Sequence, residues 1–201
     1  MAGIENLDEL LQDELKDLYD AEKQITKALP KMAKKASNDE LRQAFEEHLQ
    51  QTEQHIERLE QAFEQLDLPV RGKKCEGMKG LIEEAQDMIG EADDDATRDA
   101  LMIAAAQKVE HYEIASYGTA RTWATLLGKN DIAALFEETL EEEKETDQRL
   151  TSIAESMVNA EAASGEEEEE EEGAARGRSG RGTRSVTARG NRQAAADRRR
   201  R

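Results

Sequence analysis

LRQAFEEHLQQTEQHIERLEQAFEQL (residues 41–66) is the stretch whose reading decides the fold. Its apolar residues Leu41, Phe45, Leu59, Ala62 and Leu66 fall on one line, in steps of three and four on either side of a gap between Phe45 and Leu59. Such spacing is the buried stripe of a helix in a bundle. The same line carries His48, Thr52 and His55 in its middle third. A buried stripe with imidazoles at its centre asks what those imidazoles face.

The flanking sequence supplies the partners. Asn6, with Glu9 three residues on, is a helix start. The first helix then runs through Leu7, Leu11, Leu15, Leu18, Ile25, Leu29 and Met32, and the gap after Leu18 puts Glu22 on its buried line. Pro30 lies inside this helix and is expected to bend it. Ser37 or Asn38 opens the second helix, with Glu40 completing a capping box on Ser37, and Pro69 ends it. About 30 residues of connection follow. Within them Met78, Leu81, Ile82, Ala85 and Ile89 predict a short extra helix, after a loop at 71–75. A long helix is expected at about 96–127, stopped by Gly128, and another from about Asp131 to Met157. Two short joins and one long crossover give two antiparallel hairpins, the pattern of an all-α four-helix bundle.

The remaining buried lines carry acids. In the last helix the line 132, 136, 139, 143, 147, 150 includes Glu143 and Asp147. The helix before it allows two registers. One, through Met102, Ala106, Val109, Ser116 and Ala120, includes Glu113; its neighbour, through Ile103, Ala106, Tyr117 and Ala120, includes both Glu110 and Glu113. Counted from the turns, Glu22 faces the region of residue 51, Glu113 that of 144 and Glu110 that of 147. At about 1.5 Å rise per residue, the whole set fits within one or two turns at mid-height. One buried polar residue can simply set helix register. Several ionised carboxylates at one level cannot, since each costs several kcal/mol when unpaired and a whole domain has roughly 5–15. The nearby lysines Lys16, Lys23, Lys108 and Lys144 lie off the buried lines. Metal ions resolve the imbalance, and carboxylates with imidazole suit iron, manganese or zinc. The expected ligands of two metal ions are Glu22, His48, Glu110, Glu113, Glu143 and Asp147, with His55 in reserve; iron is the first choice. His111 is expected to be exposed, and Tyr19, Tyr112, Tyr117 and Trp123 to pack in the core.

Composition agrees. The chain has 201 residues, two prolines and 3% aromatics, and helix formers dominate. Cys75 is alone, which excludes an internal disulfide and a thiolate cluster. Absence of a signal core or a run of about 18 apolar residues predicts a cytoplasmic protein without a membrane span. The net charge is −18, unevenly spread. Residues 1–160 are expected to form the bundle. Residues 161–201, with seven consecutive glutamates and then ten arginines among Gly and Ser, are expected to be a disordered tail. The acidic bundle should repel nucleic acid, whereas the arginines allow a weak contact with it.

The residues also resemble a family. Tyr19-Asp20-Ala21-Glu22-Lys23-Gln24, His48-Leu49 with Thr52 and Arg58-Leu59, the run from Ala104 to Thr119, and Glu141-Glu142-Glu143-Lys144 with Asp147 look like the YciF/YciE-type ferritin-like stress proteins. The resemblance covers roughly 5–158. It implies a ferritin-like bundle, rubrerythrin-like in outline, a homodimer, and a link to stress responses. One departure stands out. Di-iron bundles carry Glu-x-x-His on two helices, and this chain has no such motif. Thr52-x-x-His55 and Glu143-x-x-x-Asp147 stand in the corresponding places, and the choice between His48 and His55 stays open. Three functions compete: a di-metal protein that oxidises iron or consumes peroxide, a non-catalytic dimeric stress protein, and a protector tethered to nucleic acid by its tail.

Overall fold

A computed structural model describes residues 4–164. The tail beyond lies outside the described residues, and with it the expected disorder and the expected nucleic-acid contact. Five α-helices follow one another: α1 (Leu7–Lys35), α2 (Asp39–Gln65), α3 (Glu76–Glu91), α4 (Asp95–Leu126) and α5 (Asn130–Ile153). A π-helical turn, Ala154–Val158, continues α5, and helical backbone runs on through 159–164, past the boundary expected at 160. There is no strand among the described residues. No helix there is long and apolar enough to cross a membrane.

The ends obey local chemistry. Asn6 accepts the Glu9 amide, and Asp94 accepts the Thr97 amide. At α2 the cap is Asn38, whose side chain accepts from Leu41, in place of the Ser37 box expected. Ser37 is spent otherwise. Its amide and that of Asn38 both donate to Asp99, a buried carboxylate of α4, at 3.0 and 2.7 Å. This ties the α1–α2 turn to the start of α4. Pro30 sits inside an uninterrupted α1. Gly128 takes φ +72°, the left-handed turn that glycine makes without strain, and sends the chain into α5.

α1 packs on α2 and α4 on α5; α2 also packs on α5 and α1 on α4, which closes a four-helix bundle. α3, the crossover helix, lies against α4 and α1. The core divides into two apolar clusters. One contains Ile25, Leu29, Leu41, Phe45, Met102 and Leu150. The other contains Leu11, Leu15, Leu59, Phe63, Tyr117 and Phe136. Between them the buried residues are polar.

Candidate metal centre

The polar layer is built by the buried lines read from the sequence. Glu22 comes from α1, His48, Thr52 and His55 from α2, Glu110 and Glu113 from α4, Glu143 from α5; all are buried, Glu22, His55, Glu113 and Glu143 completely. On α4 the second register holds, since Ile103, Glu110, Glu113 and Tyr117 are all inside.

These side chains form two groups that share one member. His48, Glu110, Glu113 and Glu143 each offer an atom within 4.8 Å of the others, and so do Glu22, His55 and Glu143. Glu143 divides its two oxygens between them. Oε1 lies 2.9 Å from His55 Nδ1, and Oε2 lies 3.9 Å from His48 Nε2. His48 Nε2 is also 3.4 Å from Glu110 Oε1, and His55 Nδ1 is 3.5 Å from Glu22 Oε1. The sequence left the choice between the two histidines open; each group has its own.

The outer ring nitrogens are held from behind. His55 Nε2 is 2.9 Å from Glu142 Oε2, and Arg58 grips the same carboxylate with bonds of 2.6 and 2.9 Å. His48 Nδ1 has Gln51 and Thr146 at 3.4 Å. Outer hydrogen bonds of this kind orient a ligating imidazole and set which nitrogen faces inward. Tyr117, deep in the core, donates its hydroxyl to Glu22 Oε1 at 2.5 Å. It is therefore a polar contact of the layer as well as packing.

Two residues fall elsewhere than expected. Asp147 stays outside both groups. It accepts from Gln107 at 3.1 Å and lies 3.5 Å from His111 Nε2, and it is partly exposed. From Glu143, Thr146 lies about 60° short of a full turn and Asp147 about 40° past it, and the packing of α5 buries Thr146 in place of Asp147. Arg58 is a buried cation that the positions of the lysines do not disclose. It neutralises Glu142 and Glu138 at the edge of the layer, not the carboxylates inside. The signal was available: Arg58 sits one turn before Ala62 and three residues after His55. His111 is exposed as expected.

The inner atoms have no hydrogen-bond partners. Among the described residues, eight buried side-chain atoms are left without one, and all belong to the layer: Glu22 Oε2, His48 Nε2, His55 Nδ1, Glu110 Oε2, and both oxygens of Glu113 and Glu143. At about 1–3 kcal/mol for each unsatisfied buried group, this set rivals a domain's roughly 5–15 kcal/mol of stability. The orphaned atoms are oxygen and imidazole nitrogen, the donor set of iron, manganese and zinc. The residues present fit a metal pair. The protein side alone is electrically strained. Burial, then the charge of Glu143, pushes the Glu110 and Glu113 carboxyls well above the usual range. At His55 burial opposes the charge, but Glu22 and the neighbouring carboxylates of Glu142 and Glu143 raise the imidazole to about 12. Glu142 is held down to about 2: burial would raise it, and His55 and Arg58 overcome that.

A helical bundle with acids and histidines converging at mid-height defines the ferritin-like class, and comparison with known proteins agrees. Residues 6–163 match the family described as a domain of unknown function, DUF892, and the chain belongs to that family. Protein YciF of Escherichia coli (strain K12) is 49% identical over 149 residues, covering 74% of this chain and 90% of that protein. The crystal structure of the E. coli stress protein YciF superposes with a TM-score of 0.74 over 78% of this chain and 99% of that one. YcfI of Rhodopseudomonas palustris, 45% identical, gives 0.74 over 75% and 96%. A two-domain protein of Anabaena variabilis with DJ-1/ThiJ/PfpI-like and ferritin-like domains, 22% identical, shares the fold at TM-score 0.51 over 79% of this chain and 39% of that one.

Proposed function

We propose that this protein holds two metal ions, iron first, in the layer between its two apolar clusters, and uses them to consume peroxide in a stress response. The observation that carries the reading is Glu143, whose two oxygens face two different histidines while neither has a hydrogen-bond partner. One carboxylate shared between two imidazole-bearing groups suits a pair of ions. His48, Glu110 and Glu113 would hold one ion, Glu22 and His55 the other, and Glu143 both. Iron held there would supply two electrons, which with two protons balance the reduction of one peroxide to two waters. The chain's own part is to exclude bulk water and to hold the imidazoles in register through Glu142, Arg58 and Thr146. The stress role is carried over from the E. coli relative's description. The family resemblance supports a two-fold dimer as the working form, which light scattering at high micromolar concentration tests directly.

Elemental analysis of protein purified without chelators, followed by anaerobic reloading with ferrous iron, is the test. The expected result is close to two ions per chain, and oxidation of both by one equivalent of peroxide, faster than that of free iron. Binding without accelerated oxidation would favour the second reading, a non-catalytic metal-binding stress protein. Failure to retain or take up any metal would sink both.

A further inference from the structure

Between α1, α3 and α4 lies a cavity of about 240 Å³. Its walls are apolar: Leu29 and Met32 from α1, Ile82 and Ala85 from α3, Ala106 and Val109 from α4. The crossover helix makes it, since α3 roofs the groove between α1 and α4 without filling it. The cavity is not featureless along its length. His48 and Glu110 line it at the level of the carboxylate layer. Lys31 and Lys35 line it too, six and ten residues beyond Ile25, which lines it on the same helix, roughly 9–15 Å along the axis. Both lysines are exposed, and neither makes an ion pair among the described residues.

A cavity with an apolar shaft, two cations at the outer end and a buried carboxylate at the inner end is polarised. It favours a ligand with an anionic head and an aliphatic body, head outward, because an anion at the inner end would meet Glu110. Size narrows the class. An apolar cavity of about 150 Å³ holds benzene, so one of about 240 Å³ has room for roughly ten non-hydrogen atoms, which is an eight-carbon carboxylate. In a chain of net charge −18, general electrostatics repel such an anion, so its capture requires the local lysines.

The geometry points to a binding site for a medium-chain aliphatic carboxylate, with its head at Lys31 and Lys35 and its chain end beside His48 and Glu110. Octanoate is the probe. Titrated calorimetrically into the full-length protein, metal-free and metal-loaded, it should bind saturably at one per chain. Octylamine, of equal size and opposite charge, should bind at least tenfold more weakly. The double substitution Lys31→Glu with Lys35→Glu lies on the surface and should leave the helical circular dichroism unchanged while weakening octanoate at least tenfold. Ala85→Phe, which grows into the cavity from α3, should abolish octanoate binding and leave metal content as it was. Absence of saturable octanoate binding to either form overturns the proposal, as does undiminished affinity in the charge-reversed variant. Metal analysis reports on the metal centre separately, so the failure of one idea is distinguishable from that of the other.

Discussion

At the scale of single residues, Glu143 and Glu113 carry the sharpest expectations. Glu143 belongs to both groups, whereas His48 and His55 belong to one each. Glu143→Ala should therefore lose both ions, and His48→Ala only one, as counted by elemental analysis after desalting. Glu113 has neither oxygen satisfied and is completely buried. Removing its charge relieves a like-charge cluster, so Glu113→Gln should make the metal-free protein more stable, by about 1–3 kcal/mol at pH 8, while weakening metal binding. Denaturant titration of the chelated protein measures this. The pH dependence follows from the shifted groups. Glu110 and Glu113 are raised acids, so the stability they leave intact below their unfolded pKa, about 4.3, is lost as pH climbs toward their folded values. His55, raised to about 12, acts in the same sense from its unfolded value, about 6.5, upward. Glu142, lowered to about 2, stabilises above about 4.3 and loses that contribution as pH falls through its folded value. Melting temperatures of the chelated protein should thus peak between about pH 4 and 6 and decline through pH 8. A profile that instead rises across this range would contradict the assignment. Metal binding must displace the protons that His55 and the raised acids carry, and calorimetry in buffers of different ionisation enthalpy should register their release.

At the scale of helices, the buried lines were legible because steps of three and four leave little freedom. Glu22, His48, Glu110, Glu113 and Glu143 interrupt otherwise apolar lines, and that interruption could be seen without coordinates. What periodicity does not resolve is azimuth within a turn. Thr146 and Asp147 are adjacent and equally compatible with a line through Glu143; only the packing of α5 against α2 and α4 decides which points in. The same limit left His48 and His55 undecided, two turns apart on one line. Contacts between helix ends were also invisible. Nothing in the local sequence says that Asp99 receives the amides of Ser37 and Asn38, 62 and 61 residues away. Bonds to a charged group are worth about 1.5–3 kcal/mol each. Asp99→Ala should destabilise the bundle by about 3–6 kcal/mol, and Asp99→Asn, which can still accept one bond, by about half that. Equal effects of the two substitutions in urea titrations would show that the carboxylate's charge is not what the turn uses.

At the scale of the molecule, the arrangement is two apolar clusters held apart by a charged disc, with metal as the proposed neutraliser. Ligand that binds only the native state adds about 2.7 kcal/mol at a hundredfold excess over its dissociation constant. Chelation should lower the melting temperature well beyond what a surface ion pair, at about 0–1 kcal/mol, would cause. Identical melting curves with and without chelator, at several pH values, would mean that the disc is hydrated rather than metallated. The division of the core has a consequence for cooperativity. Each cluster draws on both ends of different helices, and what passes between them is backbone and the side chains of the disc. With the disc neutralised, the two halves should open as one unit, and their slowest-exchanging amides should share one exchange free energy. With the disc charged and empty, the half holding Leu41 and Leu150 and the half holding Phe63 and Phe136 lose that mutual support and should exchange with different free energies. The metal centre would then be the rivet through which one end of the bundle senses whether the other is folded.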